Sequence, residues 1–227
     1  MPPFERNDDR TGAAIVVAGG LSLVAYSLSK QWFIGPDARL LPFVPAGQSG
    51  RAYHLLETVP VVLLLAGLVA LYLTHQPLQS PVEASGYAVA AAALVGVNGV
   101  HWAEHLLPVL LGPDGTVRVG SSLALSVVWL SDLFMWLYYG AWFAFAAGLS
   151  LVGIGIRGRV AAGRAGASRV LGTLFASALP IGVVLGVVVV SVGLGSTADG
   201  FKMAEGVVLT GVGAVLARDH GRAIDPS

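Results

Sequence analysis

Six apolar runs, separated by short polar or Pro/Gly-rich breaks, set the rhythm of this chain. A helix rises about 1.5 Å per residue, so about 20 apolar residues cross a hydrocarbon core of about 30 Å. On that scale the runs at about 11–29, 56–75, 84–111, 120–156, 170–194 and 201–217 predict six transmembrane helices. The expected fold is all-α, a polytopic helical bundle forming one domain over residues 1–217, with a loose polar tail at 218–227. Between the first two runs, Pro36, Pro42 and Pro45 with Gly35, Gly47 and Gly50 prevent any long helix and predict the longest loop. Pro60 suits either the first turn of the second helix, capped by Thr58, or a kink further in. The fourth run has no breaker stronger than Gly140 and is about 54 Å long as a helix, which predicts one continuous element projecting beyond the lipid.

One run departs from the apolar pattern. Asn98, His101, Glu104 and His105 fall within an arc of about 120° on a helix, so the third run carries a single polar stripe. Polar and ionisable groups at this depth are unfavourable in lipid unless they are partnered or face a wet cavity. Counted along the middle helices from their cytoplasmic ends, Glu57, His54, His101, His105 and Asp132 all lie about 22–34 Å up, at one outer level. Consecutive helices joined by short turns are neighbours. The five residues are therefore candidate ligands of a divalent metal ion or a haem, with His101 and His105 at the i, i+4 spacing that two ligands on one helix adopt. The alternative is a structural cluster at a wet boundary, with Trp129, Trp136, Tyr138 and Tyr139 as an interfacial aromatic belt. Lys202 is expected to snorkel to that interface.

Composition fits the membrane reading: 55% of the 227 residues are hydrophobic and 11% charged, and the mean hydropathy is +0.76. Thirteen basic residues balance thirteen acidic ones, and no basic run marks a nucleic-acid partner. The absence of cysteine excludes disulfides, thiolate ligands, Fe–S clusters and c-type haem attachment. Eight basic residues, including Arg157, Arg159, Arg164 and Arg169, fall on the side of the termini and five on the other, which predicts a cell-membrane protein with both termini cytoplasmic. Gly182 and Gly186 have the G-x-x-x-G spacing that lets helix backbones approach, and the Gly-rich final spans offer docking surfaces for a second copy or a larger membrane complex.

His101-x-x-Glu104-His105 resembles the H-x-x-E-H pattern of the inverzincin metalloproteases over five residues. That resemblance implies two histidines holding zinc and Glu104 activating water, with a third ligand from another helix. Three functions follow: a membrane protein binding metal or haem for transport or redox chemistry, a metal-dependent membrane hydrolase, or a non-catalytic accessory subunit. Asn98 and the histidines do not choose among them.

Overall fold

The structure, a computed structural model, describes residues 5–34, 56–75, 79–111, 122–163, 168–193 and 196–222. His54 lies outside them, and so do the side chains of Glu104, His105 and Asp132. Every element among the described residues is an α-helix: α1 (Glu5–Ile34), α2 (Thr58–His75), α3 (Pro81–Leu111), α4 (Ser122–Ala161), α5 (Arg169–Ala176), α6 (Ala178–Ser191) and α7 (Thr197–Arg222). Among the described residues four stretches are long and apolar enough to cross a membrane: Thr11–Ser29, Leu133–Ala161, Arg169–Ser191 and Thr197–Arg218. Thr58–Thr74 is a shorter apolar helix.

Local chemistry sets the helix starts. Ser80 opens α3 as its N-cap, with Pro81 in the first helical position and Ser80 Oγ accepting from the Glu83 amide at 3.2 Å. Ser196 opens α7 with a reciprocal arrangement: Asp199 Oδ2 accepts from the Ser196 amide at 2.8 Å and from its hydroxyl at 2.7 Å, which completes a capping box. Pro60 lies in the first turn of α2, but Thr58 is already inside the helix and its hydroxyl has no hydrogen-bond partner, so the expected Thr58 cap does not form. α4 runs for 40 residues without interruption at Gly140. α7 continues past Arg218 to Arg222, into what the sequence suggested was a loose tail.

Pro180 has the opposite effect. Lacking an N–H, it leaves the carbonyl four residues earlier, Ala176, without its helical donor, and the helix divides at Ser177 into α5 and α6, while Arg169–Ser191 remains one apolar stretch long enough to cross a membrane. Ser150 of α4 mends the break. Its hydroxyl donates to the Ala176 carbonyl at 3.3 Å and accepts from the Leu179 amide at 3.0 Å.

Small residues let the helices close on one another. A Cβ on Gly86 of α3 would sit 2.6 Å from the Val152 amide and 2.7 Å from the Gly148 carbonyl of α4. On Gly20 of α1 it would sit 2.6 Å from the Gly206 carbonyl of α7. Gly182 and Gly186 of α6 make room for Phe201 and Thr197 of α7, so the G-x-x-x-G spacing is used in packing. α1 runs antiparallel to both α2 and α7, as α3 does to α4. Leu64, Leu68, Leu94, Phe145, Leu149 and Leu209 fill the middle of the bundle and are buried. The C-terminal part of α1 meets the starts of α2 and α7 at one end; the starts of α3 and α5 meet the end of α4 at the other.

Candidate functional site

Four elements bring ionisable side chains together at the first of these ends. Glu57 stands at the N-terminus of α2, where its carbonyl accepts from Val61 and its negative charge meets the positive pole of the helix. Lys202 lies two turns into α7 and extends its ammonium to Glu57 Oε1 at 2.9 Å and to Asp199 Oδ1 at 3.6 Å. Tyr138 of α4 donates its hydroxyl to the same Glu57 oxygen at 2.6 Å. His101 of α3 places Nδ1 3.9 Å from Glu57 Oε2, with its ring stacked on Tyr138 at 6.2 Å between centroids. The rings of Tyr26, Tyr138 and Trp142 surround the ammonium at 5.2, 5.1 and 5.6 Å, within cation–π range.

The cluster is shut away from the exterior. Lys202 and Glu205 are 0% exposed, Glu57 1% and His101 3%. Buried charges persist only when paired and hydrogen-bonded, and Glu57 meets that requirement with contacts to a cation, a phenol and an imidazole. Glu205 does not, because neither of its carboxyl oxygens has a hydrogen-bond partner. Three carboxyl groups thus face one ammonium and one imidazole. Such a set is electrically balanced when His101 and one carboxyl group each hold a proton.

Of the residues predicted to form a His/carboxylate cluster, the structure describes the side chains of two. Glu57 and His101 come together; His54 and the side chains of His105, Asp132 and Glu104 lie outside the described residues. Asn98 is half-buried on the same helix as His101. Lys202 corrects the sequence reading, since it is buried at the centre of the site and does not snorkel. Its α7 neighbours gave a usable signal: Asp199, Lys202 and Glu205 recur every third residue, on one side of a helix. Tyr138 turns inward, whereas Trp136 is 75% exposed and fits the aromatic-belt reading. Among the described residues, no group of three or more His, Asp or Glu is arranged to hold a metal ion. The Lys202 ammonium occupies the position between Glu57 and Asp199 that a bridging cation would take.

A second buried ion pair closes the other end. Arg159 of α4 grips Glu83 of α3 with two contacts of 2.9 Å, Nε to Oε2 and Nη2 to Oε1. The two clusters are 18 residues apart along α3, about 27 Å. Glu83 and Arg159 both fall in breaks between the predicted apolar runs, so the sequence reading missed the pair. The available clues were the Ser80-to-Glu83 capping spacing and Gly155, which packs directly against Glu83. Comparisons with protein-family models, curated proteins and solved structures return no match to this chain.

Proposed function

We propose that this chain is a multi-pass integral membrane protein with six crossings and cytoplasmic termini, and that it moves protons across its membrane through the Glu57–Lys202 cluster. The observation that carries this reading is the convergence of Glu57, His101, Tyr138, Asp199 and Lys202, five ionisable side chains, in one buried site. Intramembrane ionisable residues mark ion and proton pathways because no structural need repays their desolvation as simply as an apolar contact does. Among the described residues the polar groups form no continuous file: Leu64, Leu94, Leu149 and Leu209 separate the Glu57 end from the Glu83–Arg159 end. Proton movement therefore requires rearrangement of helices, in the manner of a carrier rather than of a pore.

The test is dissipation of an imposed pH gradient in liposomes with a trapped pH-sensitive dye. Wild-type protein should collapse the gradient faster than empty vesicles do, and Glu57→Gln should return the rate to that of empty vesicles while still running as a folded species in size-exclusion chromatography. Equal rates for wild-type protein and empty vesicles overturn the reading. Elemental analysis and an absorption spectrum check the metal or haem alternative. A stoichiometric metal or haem that is lost in His101→Ala would assign the cluster to ligand binding instead.

A further inference from the structure

Among the described residues, Glu205 is the one carboxyl group at the site that the ion pairs leave out. It is 0% exposed, both its oxygens lack hydrogen-bond partners, and it lies one turn beyond Lys202 on the same side of α7. Lys202 is already committed to Glu57 at 2.9 Å and Asp199 at 3.6 Å. Asp199 is in turn fixed by the Ser196 amide and hydroxyl. The other groups that face the cluster are Tyr26 of α1, Glu57 at the start of α2, His101 of α3 and Tyr138 of α4. α6 has no titratable side chain, and α5 has only Arg169, in its first turn at the opposite end. Among the described residues Glu205 thus has one cation near it, Lys202, and that cation is held by other carboxylates.

We propose that Glu205 is the proton-binding residue of this site, and that its protonation decides which carboxylate Lys202 pairs with. This proposal rests on the proton-moving function above. When Glu205 takes a proton from water its carboxylate becomes a neutral carboxylic acid, and Lys202 pairs with Glu57 and Asp199 as seen here. When the proton leaves to water, the restored carboxylate competes for the ammonium, whose four-carbon stem lets it swing by one turn. Glu57 is then released to Tyr138 and His101. A buried carboxyl group without partners is stable as the neutral acid and unstable as the anion, since the anion carries the larger desolvation penalty. The structure therefore corresponds to the proton-loaded state.

Infrared spectroscopy of the purified full chain reads that proton directly. At neutral pH the wild-type protein should show the carbonyl stretch of a buried protonated carboxylic acid. The band should shift in heavy water and shift again when glutamate is labelled with carboxyl carbon-13. It should be missing in Glu205→Gln and retained in Glu83→Gln. Should Glu205→Gln not fold, Glu205→Asp serves the same end, because its band should persist but no longer respond to labelled glutamate. A folded wild-type protein with no labelled acid band, or a band unaffected by either substitution at Glu205, overturns the proposal. Failure of the liposome experiment with the band present would remove the transport reading and leave the protonated Glu205 standing.

Discussion

At the scale of single residues, the Glu57–Lys202 pair is the test of how a charge survives inside an apolar bundle. Removing one member of a buried ion pair is strongly destabilising, by about 3–5 kcal/mol, whereas removing both together is much milder. Lys202→Met should accordingly lower stability in detergent by several times the loss seen in Lys202→Met combined with Glu57→Gln. Thermal denaturation of the two variants beside wild-type protein measures this, and strictly additive losses would show that the two side chains are not coupled. Residue-level reasoning from sequence reached Glu57 and His101, because a helix stripe and a depth count suffice to bring them to one level. It did not reach Lys202, whose partner is 145 positions away in the chain. A lysine near the end of an apolar run looks the same from sequence whether it turns outward to water or inward to a carboxylate. Only the packing of α7 against α1 decides between them.

Helices are where the sequence was most informative. Apolar length located α1, α2, α3, α4 and α7, with ends up to about six residues off, since lipid-scale hydrophobic runs act locally. The break between α5 and α6 was not legible, because Pro180 alone does not divide a helix from its continuation. The outcome depends on Ser150, on another element, supplying what Pro180 removes. Glycines show the same division between local and tertiary information. Gly140 and Gly148 lie on the same helix, yet a Cβ on Gly140 would meet nothing within 4 Å, while one on Gly148 would sit 2.6 Å from the Ala90 amide and 2.9 Å from the Gly86 carbonyl. Gly140→Ala should therefore leave stability unchanged or raise it by up to about 1 kcal/mol, from helix propensity. Gly148→Ala should lower it by forcing α3 and α4 apart. Denaturation midpoints of the two variants check this, and equal effects would refute the close α3–α4 contact.

For the whole molecule, the proposed orientation predicts which positions water-soluble reagents reach. Because the chain has no cysteine, a single introduced thiol reports without background. In intact cells Ser49→Cys should react with an impermeant maleimide and Ser168→Cys should react only after the membrane is opened; the reverse pattern inverts the topology. Ser168 is the N-cap of α5, at the same end as the Glu83–Arg159 pair, so this labelling also assigns the two buried clusters to opposite sides of the membrane. The packing of α7 against α1 bears, finally, on how such a protein is made. α7 emerges from the ribosome after α1 to α6, and Asp199, Lys202 and Glu205 each oppose its entry into lipid as a lone segment, by up to about 3 kcal/mol for a charge held deep. Its insertion is favoured once α1 offers the cleft around Gly20 and α2 offers Glu57. Until that moment Glu57 has Tyr138 and His101 beside it but no ammonium, so a chain stopped short of Thr197 leaves a buried carboxylate without its cation.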